Sequence, residues 1–236
     1  GPMMGRVLDD PKTSYVTKTT SGLIVLPPDH NIITGKTIDI KRLTRLSKIV
    51  CCQCTLCTEL CPRYQLGHNL HPHLIMLSLD QPADHPVKKE ALLCSECGIC
   101  EKWACPMHIS PREVNAALKK QVTGSPKEVA KNQLKRHTYT DFRRVPVKRL
   151  MGKLNILDYD RIPSVSFEEL NCNLAGLYLR ELIGDPAVSL VKPGDKVEKG
   201  QLIAAIPENA LGANIHASIS GRVKTVDDNL IYLVKE

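Results

Sequence analysis

The sequence predicts an α+β chain of 236 residues: a helical, cysteine-rich domain followed by a small all-β sandwich or barrel. Three observations predict it. Nine of the ten cysteines fall in two tight runs between Cys51 and Cys105. The segments around those runs repeat apolar residues at helical spacing. The C-terminal stretch instead breaks into short β-branched runs separated by Gly turns, which suits a small sandwich or barrel.

Taken in order, residues 1–36 read as an irregular N-terminal segment. Its turn-forming residues are Pro11, Pro27, Pro28 and Gly35, and it holds one strand-like run, Leu23–Leu26. From Thr37 the pattern turns helical: Ile40, Leu43, Leu46 and Val50 share a face that leads into Cys51. The cysteine-rich domain is assigned to 37–125. Between its two runs lie 32 residues, Pro62 to Leu93, in which Leu70, Leu74 and Leu77 mark a second helical face. Ser110-Pro111-Arg112-Glu113 reads as a capping box with Pro at the first helical position. The helix it opens runs to Lys120 and stops near Gly124 and Pro126. Residues 126–165 read as a basic linker. Residues 166–236 carry strand-like runs at Val188–Val191, Leu202–Ile206, Ile215–Ile219, Gly221–Val226 and Leu230–Val234, with turns at Pro193-Gly194 and Gly200.

The cysteine spacing carries the chemistry. The first run is Cys51-x2-Cys54-x2-Cys57-x3-Cys61-Pro62, and the second is Cys94-x2-Cys97-x2-Cys100-x4-Cys105-Pro106. Three cysteines two residues apart wrap one loop around a cubane, and the cysteine before Pro ligates the other cluster in two-cluster proteins. The expected ligands are therefore Cys51, Cys54, Cys57 and Cys105 for one [4Fe–4S] cluster, and Cys94, Cys97, Cys100 and Cys61 for the second. The extra residue before Cys105 calls for a short bulge. Zinc is the competing reading, but it favours two well-separated cysteine pairs rather than three consecutive cysteines twice over. Disulfides are not expected, because no secretory signal precedes the runs and cluster ligands must stay reduced. Cys52 and Cys172 fall outside the ligand set and read as packing residues or free thiols.

Composition narrows the class further. Phe142 and Phe167 are the only Phe and Trp103 the only Trp, so cluster ligation is expected to supply folding energy that a small core lacks. No run of about 18 apolar residues occurs, so no membrane span is expected. The net charge is +7, and residues 131–153 hold Lys131, Lys135, Arg136, Arg143, Arg144, Lys148, Arg149 and Lys153 against Asp141. Few stacking aromatics accompany them, so a solvated linker or a docking face for an acidic redox partner is expected, not a nucleic-acid site. His68, His71 and His73 read as the polar start of a helix rather than a ligand set.

Residues 191–203 and 215–223 resemble a barrel-sandwich hybrid of the biotinyl/lipoyl type. No lysine lies between Lys199 and Lys224, so the stretch Glu208–Asn214, where a carrier tip would stand, cannot present a modified lysine. Together with Gly1-Pro2-Met3-Met4-Gly5 and Gly212–Ser218, the order of parts resembles the C-terminal half of the RnfC-like flavo-iron–sulfur family. Within that family it is similar to the soluble branch that reduces cobalamin in propanediol-utilisation microcompartments, because the barrel follows the clusters. The resemblance implies that FMN and NADH bind on an N-terminal part absent here. No Gly-rich phosphate loop leading into a helix occurs in these residues.

What the resemblance implies is the electron-transfer portion of an NADH-dependent cobalamin (corrinoid) reductase, receiving single electrons from that flavin domain and needing no catalytic side chain of its own. The expected partners are the flavin/NADH domain, a corrinoid adenosyltransferase or cobalamin as acceptor, and a microcompartment shell protein, in the bacterial cytoplasm. A subunit of a membrane ferredoxin–NAD oxidoreductase and a non-catalytic docking or assembly module are the alternatives.

Overall fold

The computed structural model describes residues 1–8, 10, 14–36, 39–130, 133–161, 171–182 and 184–236. The expectations placed on Pro11, Thr37, Lys131, Phe167 and the junction 162–170 lie outside these residues. The chain forms two units. One comprises residues 1–7 and 25–163, the other residues 8–24 and 164–236. Much of the stretch read from sequence as an irregular N-terminal segment thus clusters with the β-rich unit.

The first unit is built from short helices: α1 (Asn31–Thr34), α2 (Ile40–Val50), α3 (Leu56–Glu59), α4 (Pro62–Gln65), α5 (Pro72–Leu77), α6 (Pro86–Lys89), α7 (Pro111–Lys119), α8 (Pro126–Val129) and α9 (Val147–Lys153). Proline opens α4, α5, α6, α7 and α8, where its missing N–H costs no helical hydrogen bond. Asp39 caps α2, its carboxylate accepting from the amides of Lys41 and Arg42 at 3.1 and 3.4 Å. The buried face of α2 is set by Leu43 and Ser47, while Leu46, expected on that face, is exposed. On α5 the buried residues are Pro72, Ile75 and Met76. Leu77, expected in the core, points outward, and Leu70 is buried from the loop before the helix. The core joins Leu43, Leu70, Ile75, Met76, Val114 and Leu118 to Cys61 and Cys105, so the cysteine runs are part of the packing.

Two local expectations are corrected. Ser110 makes no side-chain cap on α7, and Glu113, the expected return acceptor, pairs with Arg112 instead. The reciprocal capping contact occurs instead at Ser125, whose N–H donates to Glu128 Oε1 at 3.1 Å. Leu23–Leu26 forms no strand, and Leu23, Ile24 and Val25 are exposed.

The second unit holds β1 (Leu174–Tyr178), β2 (Val188–Ser189), β3 (Lys196–Val197), β4 (Leu202–Ala205), β5 (Ile215–His216), β6 (Gly221–Val226) and β7 (Leu230–Val234). They pair antiparallel in two sheets, ordered β1-β7-β6-β3 and β2-β4-β5. Both sheets contribute to one core of Leu177, Ile203, Ile215, Val223, Ile231 and Leu233, so the module is a sandwich and not a closed barrel. Along β7 burial alternates strictly, with Ile231 and Leu233 inward. Bulges between Leu202 and Ala204 and between Val223 and Thr225 bend the sheets. β1 escapes the sequence pattern because its centre is Gly176. That glycine lies opposite Tyr232, and a Cβ there would come within 2.7 Å of the Tyr15 ring. Tyr15 fills the gap, packing edge-on to Tyr178 and Tyr232 at 5.8 and 6.2 Å.

Candidate metal centres

The two cysteine runs share a backbone design. In the first, Gln53 and Thr55 adopt positive φ of 56° and 61°; in the second, Glu96 and Gly98 do so at 57° and 81°. These are the second and fourth residues after Cys51 and Cys94, so both loops coil alike. Left-handed residues alternating along a loop turn successive amide N–H groups into a concavity suited to anions. The donors reach the sulfurs directly: Gln53 Nε2 donates to Cys51 Sγ at 3.0 Å, and the Glu96 amide to Cys94 Sγ at 3.4 Å.

The runs diverge after their third cysteine. Cys57 lies in α3 and is followed by three residues before Cys61. After Cys100 four residues intervene, and Cys100–Ala104 winds as a single π-helical turn. One inserted residue widens a helical turn in this way without breaking it. Cys105 is thereby carried onward, as Cys61 is carried by the tighter turn.

Each set of cysteines lines its own recess. Cys51, Cys54, Cys57 and Cys105 line the first, with Cys52, His73, Met76 and Met107 also in its wall; it encloses about 330 Å³, part of it open to solvent. Cys61, Cys94, Cys97 and Cys100 line the second, about 310 Å³, together with Leu70, Arg112 and Asn115. In both, three of the expected ligands come from one run and the fourth from the other. Among the described residues, no three His, Cys, Asp or Glu converge as a site for a single metal ion.

The electrostatics are those of a donor set that needs a cation. Burial pushes the Cys57 thiol up to about 12, and nearby Cys51 adds to the shift. Burial likewise takes Cys61 to about 11, opposed by the amides of Tyr64 and Arg63. Cys100 is driven well above the ordinary thiol range by burial and then by Cys94 and Cys61. Cys54 rises by burial, with a contribution from Cys52. Thiols raised this way hold their protons until a bound metal displaces them. In the second recess, Asn115 is 1% exposed and neither side-chain atom has a hydrogen-bond partner among the described residues. A group with sulfur acceptors and several irons fits both the cysteines and this unused amide.

The shell around the recesses is polar and well tied. Arg112 Nε donates to Glu101 Oε2 at 2.9 Å, and Lys102 Nζ stands 2.7 Å from Glu101 Oε1. His73 is committed to Thr58, whose Oγ1 lies 2.7 Å from Nδ1; burial holds the imidazole pKa below its usual value. His71 pairs with Glu90 through its ring and its amide. The basic segment is pinned to both runs. Arg143 bridges to Glu59 at 2.7 Å, and the His137 amide donates to the Gln65 carbonyl at 2.9 Å. Lys153 Nζ donates to the Trp103 carbonyl at 2.9 Å and lies over its ring. Cys52 and Cys172 are exposed. The turn at Glu208 and Asn209 between β4 and β5 carries no lysine. Sequence reasoning missed Asn115, Glu101 and Arg112, since a buried polar residue in an amphipathic helix has no signature in spacing.

A helical domain with two four-cysteine recesses, followed by a β-sandwich, defines an iron–sulfur protein of electron transfer. Comparison with protein families agrees: residues 50–110 match a 4Fe-4S dicluster domain, and residues 170–235 match the RnfC barrel sandwich hybrid domain. The chain is related over its whole length to the protein named cobalamin reductase PduS, at 41% identity in Salmonella typhimurium and 37% in Citrobacter freundii. It spans about half the length of these curated relatives, 52% of each. No solved structure matches the chain significantly. No helix among the described residues is long and apolar enough to cross a membrane.

Proposed function

We propose that this chain is the electron-relay portion of an NADH-dependent cobalamin (corrinoid) reductase and that it holds two [4Fe–4S] clusters. Cys51, Cys54, Cys57 and Cys105 would hold one, and Cys94, Cys97, Cys100 and Cys61 the other. The observation that carries this reading is the crossing of the fourth cysteine: Cys105 lines the recess of the first run and Cys61 that of the second. Bound clusters supply one-electron chemistry. The chain's own contribution is to bury the sulfurs, aim N–H donors at them and keep the two centres adjacent in one packed core. FMN and NADH belong in this reading to a further domain of the parent protein, and cobalamin, free or on an adenosyltransferase, is the acceptor. The basic segment 133–153 is a docking surface for an acidic partner. A microcompartment is the proposed location, by likeness to the cobalamin reductases.

The test is anaerobic reconstitution with iron and sulfide, followed by iron counting and EPR of the reduced protein. About eight irons per chain and two interacting centres are expected. Cys61→Ser should abolish the second centre although Cys61 lies in the first run. A ceiling of about four irons, or loss of the first centre in Cys61→Ser, overturns the reading.

A further inference from the structure

The second recess contains a group that neither cysteine ligation nor the packing of the helices uses. Asn115 lies on α7 between the buried residues Val114 and Leu118. It is 1% exposed, and both Nδ2 and Oδ1 lack a hydrogen-bond partner among the described residues. An amide buried without partners is destabilising, and native interiors leave few such groups. The side chain lines the recess formed by Cys61, Cys94, Cys97 and Cys100. The first recess is lined by an amide of another kind, Gln53, whose Nε2 is already engaged with Cys51 Sγ at 3.0 Å, whereas Asn115 Nδ2 is unpaired. A leucine would fill this position in α7 without a desolvation penalty. The amide is explained if its N–H groups meet an acceptor that enters the recess.

We propose that Asn115 Nδ2 is a hydrogen-bond donor to the sulfur-bearing group held in the second recess and that it raises the reduction potential of that centre alone. The inference rests on the two-cluster reading above. A donor aimed at sulfur stabilises the more negative, reduced state of an iron–sulfur centre, so the equilibrium at that centre moves toward reduction. Arg112, in the same wall, acts in the same sense through charge, but Glu101 and Glu113 offset it. Asn115 has no such offset.

The experiment is a redox titration of the reconstituted chain followed by EPR, for wild type, Asn115→Leu and Asn115→Ser. The second centre is identified as the signal altered in Cys61→Ser. Asn115→Leu should keep full iron content and shift the second centre's oxidised-to-reduced ratio about tenfold toward oxidised, about 59 mV lower for one electron, with the first centre unmoved. Asn115→Ser, which keeps a donor, should recover part of the shift. Unchanged potentials in Asn115→Leu, or equal shifts at both centres, would overturn the proposal. Where Asn115→Leu does not load iron, the potential of Asn115→Ser alone decides: a drop confined to the second centre supports the proposal, and no drop overturns it. Failure of the wild type to bind two clusters is read from the iron count and counts against the two-cluster reading instead.

Discussion

Arg112 and Glu101 form a buried ion pair at 2.9 Å, with side-chain exposures of 9% and 3%. The pair ties α7 to the π-helical turn Cys100–Ala104, which carries Cys100 into the second recess and leads into Cys105. Burial, the largest single influence, lowers the Arg112 pKa; the charge and hydrogen bond of Glu101, with the Glu113 charge, together outweigh it, and the pKa is raised. Removing one partner of such a pair leaves the other charged and unpaired. Arg112→Met should therefore destabilise the chain by about 3 kcal/mol, at the lower end of the usual 3–5, because Lys102 still faces Glu101. Chemical denaturation checks this. Arg112→Met combined with Glu101→Leu should recover much of the loss, since an apolar pair needs no desolvated charge.

Thr55 and Gly98 occupy the same place in their two loops, at positive φ of 61° and 81°. A β-branched residue there is strained, so Thr55→Gly should leave stability unchanged or raise it by about 1 kcal/mol. Gly98→Thr should cost about 1–3 kcal/mol. It adds a side chain in left-handed backbone, with its Cβ 3.3 Å from that of Met3. Paired melting curves, at equal iron content, separate the two outcomes. Equal and opposite behaviour is not expected, because Thr55→Gly also removes the Thr55 Oγ1 hydrogen bond to Glu59 Oε1 at 3.1 Å, and Gly98→Thr meets Met3.

Gln53 donates to Cys51 Sγ at 3.0 Å. Gln53→Leu removes that donor from the first centre and should lower its potential by about 20–60 mV, the equivalent of one net hydrogen bond of about 0.5–1.5 kcal/mol. Redox titration should show the second centre unchanged, the reverse of the pattern expected for Asn115→Leu.

Glu236 is held by Arg222, whose Nε lies 2.8 Å from Oε1, and by Lys196 at 3.2 Å. These hydrogen bonds, Arg222 first, hold its carboxyl below the ordinary value of 4.5. A depressed folded value means the unfolded chain binds the proton more readily. The pair's contribution is thus present above pH 4.5 and is lost as pH falls through the lowered folded value. A carboxyl NMR titration should place the Glu236 midpoint below 4.5, and Arg222→Gln should move it back up.

Much of this architecture was legible from residue order. Cysteines two apart face one recess because a short loop can only coil around a point, and the alternation of Ile231 and Leu233 announces a half-buried strand. Other features were not. Leu46 and Leu77 repeat at helical spacing, yet they lie on solvent faces because short helices bury only what the neighbouring elements cover. β1 was invisible because Gly176 interrupts its pattern, and Tyr15, distant in sequence, supplies the missing surface.

By itself, then, the sequence determined the class of chemistry: eight cysteines in two spaced runs, a helical insert and a β module with no lysine between Lys199 and Lys224. Spacing suffices there because loop closure is local. Only the tertiary structure decided which polar residues face the second recess, how a π turn absorbs the extra residue before Cys105, and that the β module is an open sandwich. Those outcomes depend on contacts between distant segments, where burial and not order sets what each side chain meets.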